Sequence, residues 1–192
     1  MSEPNGRFES REAFLRSERR RLMDAVNEIE GQTRSLLQGE ALEGAVQEMV
    51  EQEWLLPDAN ERLERVLDLC AYLRTLLGEP FEEMREEIER NLISAAMTVQ
   101  EISETQQGLT QELEAVEMES LEGAQPPPPD VVSKAGMLRS WLERFLKPAI
   151  KRVFRHLWQI ISGMLTPKSW TLQGGVSVPG LASAQISITF GT

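Results

Sequence analysis

Cysteine and histidine each occur once in the 192 residues, as Cys70 and His156. One cysteine excludes an internal disulfide and a cysteine zinc cluster, and one histidine excludes any site built on a histidine pair. Lysine is absent before Lys134, so the first two-thirds of the chain draws its positive charge from arginine alone. No uncharged apolar run reaches the ~18 to 20 residues that a membrane-spanning helix needs. The start, Met1-Ser2-Glu3-Pro4-Asn5-Gly6, has neither the basic opening nor the apolar stretch of a signal peptide, which predicts a cytoplasmic protein. The phosphate-cradling GxxxxGK[ST], the GxGxxG turn, the GxSxG elbow and the HExxH helix are all missing. Acid pairs such as Glu82-Glu83 and Glu86-Glu87 fall on a charged helix face, where solvation rather than proton transfer is their role. The chain therefore reads as non-enzymatic, with no catalytic residue, cofactor or metal site.

What is present is a division of charge. Residues 1–129 hold 12 arginines against 29 carboxylates, a net −17, whereas residues 130–192 hold 8 cations against 2 acids, a net +6. The boundary is the run Pro126-Pro127-Pro128-Pro129. Aromatic residues follow the basic part, which has three of the four tryptophans and three of the six phenylalanines. Fields of opposite sign steer association, either between the two parts or with something outside the chain.

The acidic part predicts helices. Phe8, Leu15, Leu22, Ile29 and Leu36 recur every seven residues, until Gly31 and Gly39 interrupt the row. A short helix through Ala45, Val46 and Met49 should stop near Trp54-Leu55-Leu56-Pro57. Asp58, with Glu61 three residues on, has the composition of a capping box, and Leu63, Val66, Cys70, Leu73 and Leu77 keep to one face until Gly78. Cys70 on that face reads as a buried structural thiol.

From Phe81 to Val116 apolar residues recur by threes and fours in a helix of ~40 residues, ~60 Å long. Within it Ile88, Leu92, Val99, Ile102, Gln106, Leu109 and Leu113 are the candidate oligomerisation seam. Gln106 either specifies register or, with Gly108, marks a kink. Short connections favour an antiparallel bundle with some self-association.

Three regions follow: an acidic helical bundle or coiled coil over 1–122, a proline-rich extended linker over 123–132, and a basic tail over 133–192. The tail opens with an amphipathic helix, broken or kinked at Pro148. Leu138, Trp141, Leu142, Phe145, Leu146, Ile150, Val153, Phe154, Leu157, Trp158, Ile161 and Leu165 form one broad apolar face, with the Arg and Lys residues on or beside the opposite one. The candidate membrane- or partner-binding residues are Arg139, Trp141, Arg144, Phe145, Lys147, Lys151, Arg152, Phe154, Arg155, Trp158 and Trp170. Aromatic and aliphatic groups beside Arg and Lys form the pattern of an interfacial helix. A helix of this kind also suits docking on the acidic bundle. His156 reads as a packing or interfacial residue. Nucleic acid is disfavoured, because the chain is acidic overall and no base-reading motif accompanies the basic face.

Beyond Arg155 the last 37 residues hold one charged side chain, Lys168. Period-two alternation over 170–178 and 184–190, around Pro179-Gly180, predicts a β-hairpin that needs a further surface to cover it. The fold expected is thus mainly α: an antiparallel bundle, a linker, a basic amphipathic helix and a C-terminal β-hairpin. The function expected is a scaffold presenting the tail to an anionic membrane surface or a protein partner, masked at rest by the acidic part. The alternative is a structural oligomeric adaptor whose tail is a permanent assembly element.

Overall fold

A computed structural model of the chain describes residues 5–39, 42–55, 57–78, 85–122, 126–164, 171–175 and 185–189. The helical body comprises α1 (Asn5–Leu37), α2 (Ala45–Glu51), α3 (Ala59–Gly78), α4 (Arg85–Glu122), α5 (Pro129–Trp141) and α6 (Lys147–Met164). A 3-10 turn at Leu42–Gly44 leads into α2, and a π turn at Leu142–Leu146 joins α5 to α6.

Local chemistry fixes several of the boundaries. The carbonyl of Asp58 accepts the Arg62 amide at 2.8 Å, the first bond of α3, and its carboxylate lies 3.2 Å from Arg62 Nε. The helix ends at Gly78, and the last carbonyls of a helix lack partners within it. Arg19 of α1 supplies partners here, donating Nε to Leu77 O at 2.7 Å and Nη2 to Gly78 O. A cation on the last turn also suits the negative end of the helix dipole.

α1 departs from the expected interruption at Gly31. The helix continues through that residue and ends in a turn at Gln38–Gly39, where Gly39 takes φ +70°. A mid-helix glycine costs roughly 0.5–1 kcal/mol relative to alanine. Burial of Leu22, Val26, Ile29 and Leu36 along the same helix outweighs that cost. α4 is likewise continuous across Gly108. Beside it Gln106 is buried and donates Nε2 to Thr110 Oγ1 at 2.9 Å, so its amide is satisfied within its own helix.

Four walls enclose the core. α1 packs on α3 and α6, α3 on α4, and α4 on α5 and α6, so the C-terminal helices close the ring between α1 and α4. Neighbouring walls run antiparallel. Arg19 of α1 meets Leu77 of α3 while Asn27 further along α1 meets Arg74, Arg62 at the start of α3 meets Glu112 late in α4 at 2.7 Å, and Arg139 of α5 meets Glu117 at 2.9 Å. α2 lies across α3 and α5 at one end. Beneath it Leu36, Val46, Leu55, Leu63, Leu109, Leu113, Leu138 and Leu142 converge around a residual gap of about 10 Å³, about the space of a single water.

Two features of the basic part differ from the linear expectation. Among the described residues, the non-helical stretch of the proline run is Pro126–Pro128, and Pro129 already begins α5. Pro128 takes φ −54° and ψ 144°, an extended conformation, while Pro129 sits where the amide it lacks has no partner in any case. The apolar side of the tail is part of the common core: Leu138, Leu142, Leu146, Val153 and Leu157 are buried with Leu22, Val99 and Ile102. The turn Pro179-Gly180 of the expected hairpin, together with Trp170, lies outside the described residues.

A cationic face on the closing helices

The junction of α5 and α6 determines what faces outward. Pro148 has no amide to offer the Arg144 carbonyl four residues back, and its ring crowds that carbonyl. The backbone widens just before it, and the Lys147 amide donates to the Leu142 carbonyl five residues back. Leu142 and Leu146 stay buried at the two ends of the π turn. Glu143, Arg144 and Phe145 between them are all exposed, the only such run of three within α5 and α6.

The cations of the two helices divide into two sets. Those near the seams are paired with bundle acids: Lys134 with Glu48 of α2, Arg139 with Glu117 at 2.9 Å and Glu114 at 3.9 Å, and Arg152 with Glu28 of α1. His156 belongs to this set, its Nδ1 lying 2.7 Å from Glu18 Oε2. Glu18 is 2% exposed, and its other oxygen accepts from Arg21 Nη1 at 2.9 Å. The remaining cations, Arg144, Lys147, Lys151 and Arg155, form no ion pair among the described residues. Lys147, Lys151 and Arg155 follow at four-residue spacing along α6, and Arg144 precedes them on the π turn.

The aromatic candidates divide in the same way. Trp158 is half exposed and Phe145 is 40% exposed, both near the free cations. Trp141 is partly buried and meets Phe145 with ring centroids 5.8 Å apart and planes tilted by 48°. Phe154 packs against the core as a partly buried residue. Beside α5, Leu42, Ser133, Gly136, Met137, Ser140, Trp141, Arg144 and Phe145 line an open groove of about 450 Å³. Leu42, Ser133, Met137 and Ser140 were not among the sequence candidates. Leu42 in particular reaches the groove through the fold, from 94 residues before Gly136, and no local pattern marks it.

The proposed seam of α4 lies elsewhere. Ile88, Leu92, Val99, Ile102, Gln106, Leu109 and Leu113 are all buried against the chain's own helices. Cys70 is fully buried, and burial pushes its thiol up to about 12. Among the described residues no group of three or more His, Cys, Asp or Glu is gathered to hold a metal ion. No described helix is long and apolar enough to cross a membrane. No protein-family model, curated protein or solved structure matches this chain.

Proposed function

We propose that the chain is a non-enzymatic helical scaffold whose closing helices present a cationic, aromatic-bearing face to an anionic surface. The observation that carries this reading is the division of the cations. Three seam cations, Lys134, Arg139 and Arg152, are paired with bundle acids, whereas Arg144, Lys147, Lys151 and Arg155 form no ion pair among the described residues. Phe145 and Trp158 beside them supply the apolar anchors that interfacial cations commonly accompany. The protein would then act in the cytoplasm as a peripheral membrane component.

Masking enters this reading through the apolar side of the tail, which the bundle keeps from lipid while α5 and α6 are docked. The ion pairs from Glu18, Glu28, Glu48 and Glu117 support such a docked resting state. The tail is read as continuing into a β-hairpin. Antiparallel backbone pairing of Thr171–Gly175 with Gln185–Thr189, Thr171 opposite Thr189, supports that part.

Co-sedimentation of the full chain with neutral and phosphatidylserine-containing vesicles tests the proposal. Binding should need the anionic lipid and weaken steeply with salt, since it rests on cations near a charged surface. Equal recovery with neutral vesicles, or none with either, would refute it.

A second reading is a structural adaptor that self-associates, with the tail as a permanent assembly element. The burial of Leu138, Leu146, Val153 and Leu157 in the common core favours it. A discrete salt-insensitive oligomer in sedimentation velocity, with no vesicle binding, would select this reading.

A further inference from the structure

We infer that the groove beside the π turn is a lipid site, receiving an acyl-chain segment of an anionic phospholipid in a bilayer while Arg144 holds its phosphate. The inference rests on the cationic-face reading and specifies what that face engages. Among the described residues, three of the seven exposed large apolar side chains, Met137, Phe145 and Trp158, lie on α5, the π turn and α6, and Phe145 and Trp158 lie within three residues of Arg144 and Arg155. The groove falls within the ~300–1,000 Å³ range of ligand clefts. Its walls include Leu42, Met137, Trp141 and Phe145, and among the described residues Arg144 is the one cation lining it. An apolar trough with a single cation suits an aliphatic chain bearing one anionic head.

Charge on the same side selects the source of that chain. Lys147, Lys151 and Arg155 continue from Arg144 along α6, and Glu143 is the only acid on the π turn. A line of cations extending beyond one headgroup matches an array of headgroups better than a single soluble anion. From Ser133 to Phe145 the lining spans about 18 Å of helix, and its exposed side is open. The widened turn explains why the site is there, because it sets Arg144 and Phe145 outward together. π turns recur at functional sites for this kind of re-aiming.

The test uses the full chain and vesicles of phosphatidylcholine with or without phosphatidylserine. Ser140→Trp fills the groove without altering charge, and Met137→Glu places a carboxylate at its wall. Both positions are exposed, and helicity by circular dichroism confirms that each variant is folded. Each variant should weaken binding to the anionic vesicles about tenfold, and Arg144→Gln roughly fivefold. A chain with Trp54, Trp158 and Trp170 changed to Phe should show quenching of Trp141 by acyl-brominated lipid. Wild-type binding by Ser140→Trp and Met137→Glu, without quenching of Trp141, would overturn the groove. If Lys147→Glu/Lys151→Glu/Arg155→Glu still abolished binding in that case, the cationic face would stand alone. Failure of the wild-type chain to bind anionic vesicles would remove both readings. Saturation by short-chain monomeric phosphatidylserine without vesicle binding would overturn the bilayer as the source.

Discussion

Glu18 Oε2 of α1 lies 2.7 Å from His156 Nδ1 of α6, and the glutamate is almost wholly buried at the seam between the first and last helices. One of the two atoms carries the proton that joins them. With Arg21 on its other oxygen, Glu18 is bonded from both sides. Removing the histidine leaves a buried carboxylate with half its partners. His156→Ala should therefore cost on the order of 3 kcal/mol in urea unfolding. Glu18→Leu/His156→Leu, which removes both polar groups, should cost clearly less. Equal losses would show that the seam depends on packing alone.

Cys70 gives a prediction with a defined sign. Its thiol ionises near 9.0 when unburied and is pushed up to about 12 in the folded chain by burial. Between those values the unfolded chain has released a proton that the folded chain retains. Stability therefore falls as pH rises above about 9, by up to about 1.4 kcal/mol per pH unit from this group. Cys70→Val should lack that component, which is read as the difference between the two pH profiles. At pH 8 the native thiol should resist Ellman's reagent and react only on unfolding.

The π turn predicts an uncommon tolerance. Deleting one residue from an α-helix rotates everything beyond it by about 100°. Deleting Glu143 instead should close the widened turn to an ordinary one and leave Leu146, Ile150, Val153 and Leu157 in place. Thermal unfolding should shift by only a few degrees, equivalent to about 1 kcal/mol or less. Deleting Arg155, in regular helix, should unfold the chain or lower its midpoint far more.

Neighbouring residues in α6 should respond in opposite ways. Leu157 is 1% exposed and Trp158 is 50% exposed. Leu157→Ala should cost about 2–5 kcal/mol through the cavity it leaves. Trp158→Ser should change stability by about 0.5 kcal/mol or less while reducing vesicle binding. Chemical denaturation and co-sedimentation of the same two variants separate the two effects.

Where a structural cue was local, the sequence was sufficient to read it. Asp58 before α3 and Gly78 at its end mark that helix by residue type alone, although Arg19 reaches its last carbonyls from 58 residues away. The apolar row from Ile88 to Val116 and the amphipathic row from Leu138 to Ile161 establish α4, α5 and α6 as helices, because a face repeating every 3.6 residues has no other regular solution. Burial of Cys70 follows from its place in such a row.

The sequence also determined, unaided, that a strongly acidic part and a basic, aromatic-rich part had to find partners for their charges and apolar faces. The tertiary structure decided which partners these were. An amphipathic face has the same pattern whether it meets a neighbour, a second chain or lipid, so only packing reveals that α6 closes the ring against α1 and α4. Gly31 belongs to a helix because Ile29 and Thr33, two residues to either side, and Val26 and Leu36 beyond them are buried in the common core. Glu18 resembles every other surface glutamate until His156, 138 residues later, is brought against it. The division between paired and free cations, and the groove joining Leu42 to Phe145, arise from the same long-range contacts, which no local pattern in the chain encodes.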